Sequence, residues 1–370
     1  MGFSYEWDLF INGFSADDKW LCPWNNLKIT HSVSGFGTSG VITGQLEFDI
    51  YDRYGQLSDA LLENVPVFLK EKNDRILPSR TYYIAKRSVS RNVCHFTAYD
   101  IMSRAEQQFD VTKVTFLKGD DKVPCGNIME YIREQCGFTG VTASSTEGLD
   151  YIRFTREQLT GRTVRSVLEM IAKAMCGVWI AKRDNGIVLS CFGSPYGGIS
   201  YSDEYSGIDY QGRQKITRLI CVNSDTGNIK EYGTGEYGTV FWIESPFLAA
   251  GTQLDNIVWE RINGYIYQAW KCSKALLSIY NTDSFPAAVS YINFGETSLI
   301  ANNITITPDH TGIYISAGCD PQNEEQWKYE EYLERAKIGI DKLIGSTKIS
   351  GSGRIVFVNL NKDKGGGKNG

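Results

Sequence analysis

The sequence predicts a mainly β protein with a small α+β insert and a C-terminal helix. The chain is rich in aromatic residues, with 21 Tyr, 17 Phe and 8 Trp, and many of them alternate with polar residues, as half-buried strands require. Short polar or glycine-containing intervals separate these alternating runs. Between two such regions the apolar period changes to that of a helix. We therefore expect a β-rich domain on each side of the insert.

Residues 1–110 are predicted to form the first β domain, a small antiparallel barrel or sandwich. Within the run 41–52, Ile42, Leu46 and Phe48 fall on one face and polar residues on the other, as in a strand with one solvated face. The predicted strands of this domain are 6–12, 27–33, 41–52, 65–71, 81–89 and 93–100.

Residues 111–195 are predicted to form the α+β insert. Its first helix is indicated by Ile128, Ile132 and Cys136, which lie four residues apart, and by Gly137 in the position of a left-handed cap.

A second helix and a hairpin complete the insert. Gly177 is expected to end this helix, and Asn185-Gly186 between the apolar runs 178–181 and 187–189 is a strong hairpin signal. The apolar stripe of the second helix consists of Val164, Leu168, Ile171 and Met175.

Residues 196–320 are predicted to form the second β domain. The boundary falls in the stretch 193–212, which is rich in Gly, Tyr and Ser, and a helix is expected at 253–262. The predicted strands are 216–222, 228–232, 239–243, 266–270, 276–279, 288–293, 303–307 and 313–317.

Residues 321–360 are predicted to form the C-terminal helix and a last strand at 354–360, and residues 361–370 a disordered tail. Asp320 is expected to cap the helix, which Gly345 ends. Its apolar stripe must be buried on its own domain or on a neighbour. The candidate interface residues of this stripe are Trp327, Leu333, Ile340 and Leu343.

Composition excludes several classes of function. The formal net charge is −5, from 38 Lys and Arg against 43 Asp and Glu, so no net basic field favours nucleic acid, and no sequence-specific nucleic acid is expected as a partner. No apolar run reaches the roughly 18 residues of a membrane-spanning helix, so membrane insertion is not expected. The N-terminus has no basic region followed by an apolar core. We expect synthesis in the cytoplasm.

Metal and cofactor chemistry are not predicted. The nine cysteines are scattered and form no Cys-x-x-Cys pair, so we expect buried free thiols. His31, His95 and His310 lie far apart in sequence and form no metal-ligand motif. The segment Gly35–Gly40 fits G-x-G-x-x-G, but a strand rather than a helix is predicted to follow it, which argues against a dinucleotide site. No metal, no cofactor and no catalytic residue is therefore expected.

Two alternatives remain open at this stage. Carboxylate pairs such as Glu324-Glu325 and Glu330-Glu331 leave a peptidoglycan hydrolase possible, because geometry rather than spacing defines such sites. A carbohydrate-binding module would need solvent-facing aromatic residues. The candidates for that platform are Trp20, Trp24, Trp242 and Trp259.

Two segments resemble parts of the baseplate hub proteins of contractile phage tails and phage-tail-like particles. The first combines the helix 163–172 with Trp179-Ile180-Ala181 and the hairpin residues 184–189. The second combines Ser245-Pro246-Phe247, Asn256-Ile257, Gly264-Tyr265-Ile266-Tyr267, Ile304-Thr305-Ile306 and Gly312-Ile313-Tyr314. The resemblance spans roughly residues 1–345, and the order and spacing of the motifs carry it.

The resemblance implies two tail-tube-like antiparallel β-barrel domains that flank the insert. It also implies a structural role without enzymatic activity, in the baseplate of a virion or of a tail-like bacteriocin. The protein is expected to be a homo-oligomer, a trimer, that adapts six-fold to three-fold symmetry. The implied partners are the tail tube protein, the central spike protein, the tape measure protein and surrounding baseplate subunits. Longer tail-tip relatives continue into hydrolase domains, so cell-wall cutting is expected from another polypeptide.

Overall fold

The structure is a computed structural model of the chain. Strands predominate over helices, so the mainly β prediction is confirmed. The structure describes residues 7–11, 14–16, 27–32, 39–52, 65–71, 80–116, 121–192, 200–202, 204–234, 238–276, 290–308, 313–319, 347–349 and 355–357.

Five of the six predicted runs of the first β region each form one strand, namely 6–12, 27–33, 65–71, 81–89 and 93–100. The run 41–52 is an exception, because the chain leaves the strand conformation at residues 42–44. At these residues the chain passes from one sheet to another. The preceding strand β4 (Ser39–Val41) pairs with a strand of the insert. The following strand β5 (Gln45–Tyr51) pairs with β3 (Lys28–Ser32) and β8 (Val93–Tyr99) of the first β region. The strands are β1 (Trp7–Ile11), β2 (Phe14–Ala16), β3 (Lys28–Ser32), β4 (Ser39–Val41), β5 (Gln45–Tyr51), β6 (Pro66–Glu71), β7 (Arg80–Ser90) and β8 (Val93–Tyr99).

The insert contains both predicted helices and the predicted hairpin. Gly137 caps the first helix with φ 66°, as expected. The second helix ends differently, because Cys176 takes the left-handed conformation with φ 52° and Gly177 already begins a strand. The elements are β9 (Lys122–Pro124), α1 (Cys125–Cys136), β10 (Val141–Ala143), β11 (Arg153–Thr155), α2 (Arg156–Leu159), α3 (Val164–Met175), β12 (Gly177–Ala181) and β13 (Ile187–Cys191).

The second β region contains the predicted helix and a strand longer than predicted, since β16 begins at Asp209 rather than at Ile216. The elements are β14 (Ser200–Ser202), β15 (Glu204–Tyr205), β16 (Asp209–Val222), β17 (Ile229–Gly233), β18 (Thr239–Glu244), α4 (Leu254–Ile262), β19 (Ile266–Leu276), β20 (Ser290–Phe294), β21 (Thr297–Ala301), β22 (Asn303–Pro308) and β23 (Ile313–Cys319). After this region, β24 (Thr347–Ile349) and β25 (Ile355–Phe357) form a separate two-stranded sheet.

One fourteen-stranded sheet runs through both β regions. Its main path is β17-β16-β19-β23-β22-β3-β5-β8-β7-β6-β1-β2, with β15 and β18 attached beside it. Within the described residues this path has two free ends and does not close. Two closed barrels are therefore not seen, and that part of the expected layout stays a prediction.

The insert has its own four-stranded sheet, in the order β10-β13-β12-β4. One face of this sheet packs against α3, whose residues Leu168, Ile171 and Met175 are fully buried. The same core continues into both β regions, where it includes Ile29 of β3 and Ile304 of β22. The insert is thus packed into a core that is shared with its neighbours.

Candidate functional site

The contact between β3 and β22 joins the two β regions. These strands are distant in sequence and pair antiparallel, with Ile29 opposite Ile306 and Ser32 opposite Asn303. The side chains of Ile29, Ile304 and Ile306 are fully buried, and burying an aliphatic side chain of this size stabilises a fold by about 1.5 to 3 kcal/mol. The junction is therefore a firm part of the sheet.

The face of the sheet that points away from the core is polar. On β3, β5 and β8, buried residues alternate with half-buried or exposed ones, as in a strand with one solvated face. Lys28 and Glu47 form an ion pair of 3.7 Å across two strands of this face. A continuous row of paired residues crosses six strands on it, namely Tyr83, Tyr99, Gln45, Thr30, Thr305 and Ser316.

Arg165 of α3 fixes the insert to the first β region. Its guanidinium donates hydrogen bonds to the carbonyl oxygen of Val41 at 3.0 Å and to Oγ1 of Thr43 at 3.0 Å. It also forms an ion pair of 2.8 Å with Glu106. A planar guanidinium has five N–H donors in a fixed arrangement, which suits one side chain to several acceptors. Arg165 thereby holds the segment at which the chain passes between the two sheets.

Arg261 of α4 fixes the insert to the second β region. It donates hydrogen bonds to the carbonyl oxygens of Met175 at 2.9 Å and Glu147 at 2.7 Å, and to Oγ of Ser145 at 3.0 Å. Met175 ends α3, so the positive charge also lies at the negative end of that helix dipole. The two arginines hold the insert from opposite sides.

Trp179 supports this arrangement from inside the insert. Its indole ring is fully buried, and Nε1 donates a hydrogen bond of 2.8 Å to the carbonyl oxygen of Leu168 in α3. A buried indole N–H requires such an acceptor. The bond locks β12 against the helix that carries Arg165.

Two buried carboxylates stabilise the loops around the insert. Asp100 accepts hydrogen bonds from the backbone N–H groups of Gly44 at 2.9 Å and Met102 at 3.1 Å. Asp255 is fully buried, accepts a hydrogen bond of 2.8 Å from the Ala249 N–H and lies 3.5 Å from Nζ of Lys230. The neighbouring Tyr232 and then Asp255 raise the pKa of Lys230 above its usual value. Both carboxylates have structural partners.

The thiols have the character of core residues. Eight cysteines are buried thiols that take part in no disulfide within the described residues, which confirms the expectation for them: Cys94, Cys125, Cys136, Cys176, Cys191, Cys221, Cys272 and Cys319. Cys22 lies outside the described residues. Burial raises the pKa of Cys125 to about 12 and that of Cys136 to about 11. Thiols with such pKa values are poor nucleophiles, because the thiolate is the reactive form.

The described part of the chain holds no group of His, Cys, Asp and Glu side chains that could bind a metal ion. His31 is buried in β3, His95 on β8 pairs with Asp49 at 2.6 Å, and His310 lies outside the described residues. None of the helices in these residues is both long and apolar enough to span a membrane.

The predicted interface and aromatic platform are only partly covered by the structure. Trp259 stacks on Tyr232 with ring centroids 6.2 Å apart, and Trp242 packs beside Ile220 and Val222. Both indoles are half-buried, and the aromatic platform stays a prediction. The residues that lie outside the described residues are Trp327, Leu333, Ile340, Leu343, Trp20, Trp24, Glu324, Glu325, Glu330 and Glu331.

Sequence reasoning missed the two arginine contacts and the β3–β22 junction. Arg165 lies inside the helix that was predicted, but its acceptors, Val41 and Thr43, are more than a hundred positions away. No local pattern marks such a pair. Arg261 is equally remote from Ser145.

Comparison with solved structures identifies the fold. The chain is similar to the 43 kDa tail protein of prophage MuSo2 from Shewanella oneidensis, with 12% sequence identity and a TM-score of 0.51 over 85% of this chain and 97% of that one. It is also similar to the prophage tail protein gp18 from Listeria monocytogenes, with 10% identity and a TM-score of 0.50 over 89% of this chain and 99% of that one.

No protein-family model matches the sequence, and no curated protein matches it. The relationship is therefore visible in the fold rather than in sequence identity. The resemblance to phage tail proteins that was inferred from the order of motifs extends to the three-dimensional structure. The chain has the fold of phage tail proteins.

Proposed function

We propose that this chain is a non-enzymatic structural hub subunit in the baseplate of a phage tail or of a tail-like contractile injection particle. In this role it joins the tail tube to the central spike and adapts six-fold to three-fold symmetry. The observation that carries the proposal is the β3–β22 junction, through which two β regions of one chain form a single sheet. Three such chains supply six β regions, which is what a three-fold match to a six-fold tube requires.

The polar face of the sheet supports this role. A hub that continues a tube needs a solvated wall, and the face of β3, β5, β8 and β22 away from the core carries Thr, Gln and Lys side chains along its length. Such a face does not bind passing cargo by burying apolar surface. It is suited to line a channel.

The rigidity of the insert supports the role as well. A symmetry adaptor must hold its two halves at a fixed relative position, because interfaces with neighbouring subunits depend on that geometry. Arg165 and Arg261 connect the insert to one β region each. The proposed partners are the tail tube protein, the central spike protein, the tape measure protein and surrounding baseplate subunits.

The proposal is tested by the mass of the purified protein in solution, measured by light scattering alone and after mixing with the candidate central spike protein. We expect a trimer, or a monomer that forms a complex of three chains with three spike chains. A monomer that ignores the spike protein at every concentration contradicts the hub role.

A variant tests the proposed contribution of the C-terminal stripe. Leu333, Ile340 and Leu343 are replaced together by Asp, and the particle yield is compared with that of the wild type. We expect loss of assembly, because a buried stripe cannot accept three charges. A soluble triple variant that gives the wild-type yield of particles removes these residues from the interface.

A further inference from the structure

We propose that the predicted C-terminal helix, residues 321–345, docks within its own chain on an apolar sheet face of the second β region. This face is formed by β16, β17 and β18 and by the start of β19. The contact lies inside one chain and does not depend on the proposed function. The residues of the face, called the docking face below, are Ile220, Val222, Ile229, Val240, Trp242 and Ile266.

Strand β16 has different surroundings on its two faces. Leu219 and Cys221 belong to the main core. On the other face, Ile220 and Val222 form a separate apolar cluster with side chains of β18. Within the described residues this cluster contains side chains of β16 and β18 only. An apolar sheet face is stable when a second layer of structure covers it, so the docking face requires an occupant.

Two exposed aliphatic side chains extend this surface. Ile229 of β17 pairs with Val222 and is 36% exposed. Ile266 of β19 pairs with Lys215 and is 42% exposed. Side chains that are directly opposite on paired strands lie on the same face of a sheet. Ile229 and Ile266 therefore mark the two ends of the surface that an occupant would cover.

A bulge keeps both ends of the docking face on one side of β16. The bulge follows Ile216, and Ile216 and Leu219 both belong to the main core. The residues that alternate with these two, Lys215 before the bulge and Ile220 after it, therefore share the opposite side of the strand. The docking face is thus continuous along β16.

The helix and the docking face match in length. Residues 320–346 lie outside the described residues, and their sequence predicts an apolar stripe that rises about 21 Å from Tyr329 to Leu343. From Lys215 to Val222 the docking face is about 20 Å long, because a strand residue advances about 3.3 Å and the bulge adds no length. One helix along β16 therefore covers the face. The stripe residues that recur at spacings of four and three are Tyr329, Leu333, Ala336, Ile340 and Leu343.

The end of β23 brings the helix to the docking face. Cys319, the last residue of β23, pairs with Trp270 of β19, and Ile266 lies about 13 Å further along β19. Because β23 runs antiparallel to β19, the chain leaves Cys319 in the direction of Ile266. Two extended steps and two helical turns from Cys319 to Tyr329 span up to about 19 Å. This reach is enough to place Tyr329 above Ile266 of the same chain.

The helix carries its charges unevenly. Residues 320–334 include six carboxylates and one cation, whereas residues 335–345 include three cations and one carboxylate. The half of the helix that follows β23 is therefore acidic, and the half that ends at Gly345 is basic. Such an arrangement favours one direction of docking when the surface below is charged in the opposite sense.

The docking face has that opposite arrangement. Arg213 and Lys215 are exposed at the end where Ile266 lies. Glu231 and Glu244 lie at the other end, where they pair with Ile220 and Val222. A helix that runs in the direction of β16 places its acidic half above the two cations and its basic half above the two carboxylates. This is also the direction in which the chain leaves β23.

Cross-linking within one chain tests the contact. Lys215 and Glu330 lie at the same end of the docking face when the helix docks in this direction, so K215C and E330C are combined and treated with a short bismaleimide. We expect a linked peptide, identified by mass spectrometry in the monomer band of a denaturing gel. The matched control is K215C with D341C, because Asp341 lies on the same side of the helix but about 16 Å further along it. We expect the control to stay unlinked.

Single-cysteine variants decide whether the contact lies within one chain. Chains with K215C and chains with E330C are coexpressed, so that only a contact between two copies can join these positions. We expect no covalent dimer from the mixture beyond that of each variant alone, and the eight described native thiols are buried. Covalent dimers specific to the mixture would show that the helix of a second copy occupies the face, which overturns docking within the chain.

Hydrogen exchange provides an independent test. Leu333→Asp places a charge in the apolar stripe, whereas Arg335→Asp places one about 200° around the helix. We expect at least tenfold faster amide exchange in residues 229–233 for Leu333→Asp than for Arg335→Asp, because a strand that loses its covering layer opens more often. Circular dichroism checks that both variants fold. Equal exchange in two folded variants contradicts the docking.

The outcomes separate this contact from the proposed function. A folded K215C/E330C chain that links no better than K215C/D341C overturns the docking, and a wild-type trimer would leave the hub proposal standing. An intrachain link in a protein that stays monomeric with and without the spike protein supports the docking and overturns the hub role.

Discussion

Replacing Arg261 with Met removes three hydrogen bonds between α4 and the insert while keeping most of the aliphatic side chain. Two of these bonds, to Met175 and Ser145, are partly buried, and the third, to Glu147, is exposed. A buried hydrogen bond from a charged donor contributes about 1.5 to 3 kcal/mol. After discounting the exposed bond and the solvent screening of a half-buried group, we expect a loss of about 3 kcal/mol in the free energy of unfolding.

The assay combines urea unfolding, followed by tryptophan fluorescence, with hydrogen exchange of the backbone amides in residues 144–148. Arg162→Met is the matched control, because Arg162 is exposed and, among the described residues, its side chain makes no hydrogen bonds like those of Arg261. We expect faster exchange and a lower urea midpoint for Arg261→Met only. If both variants unfold at the wild-type midpoint and residues 144–148 exchange as in the wild type, Arg261 does not stabilise the junction.

Two further predictions concern buried polar groups. Trp179→Phe removes the indole N–H and leaves a small cavity, so we expect a loss of about 1 to 3 kcal/mol in urea unfolding; unchanged stability would contradict a structural role for this bond. Lys230→Met leaves the buried Asp255 without its cation, which destabilises the fold. The pKa of Lys230 is raised in the folded state. The contribution of its charge to the free energy of unfolding is therefore fully present below the pKa of a lysine in the unfolded chain, and it is lost as pH rises through the folded-state pKa. The difference in unfolding free energy between wild type and Lys230→Met is therefore expected to shrink at strongly alkaline pH, and a constant difference would refute this assignment.

Local sequence patterns predicted the elements of this protein but not always their ends. The second helix of the insert was expected to end at Gly177, yet Cys176 takes the left-handed position. Gly177 is required for a different reason, since a Cβ there would lie 2.8 Å from the carbonyl oxygen of Ser190. Gly177 is therefore needed for the close approach of β12 to β13 and not as the cap of the helix.

The run 41–52 shows the same limit for strands. Its alternation was read correctly for residues 45–51, but the start of the run belongs to another sheet. Gly44 marks the crossing, because a Cβ at this position would lie 2.5 Å from Cε1 of His31 and 2.7 Å from Oδ2 of Asp100. His31 lies on another strand and Asp100 lies 56 positions along the chain, so alternation alone could not reveal the change of sheet.

The sequence by itself determined the class of fold, the helices and hairpin of the insert, and the absence of net basic charge. These properties depend on period, turn residues and composition, which are local or summed quantities. Only the tertiary structure decided that β3 pairs with β22 and that Arg165 and Arg261 hold the insert. Pairing between distant strands depends on which surfaces remain after every local element has formed, and a single sequence does not encode that choice in any local pattern.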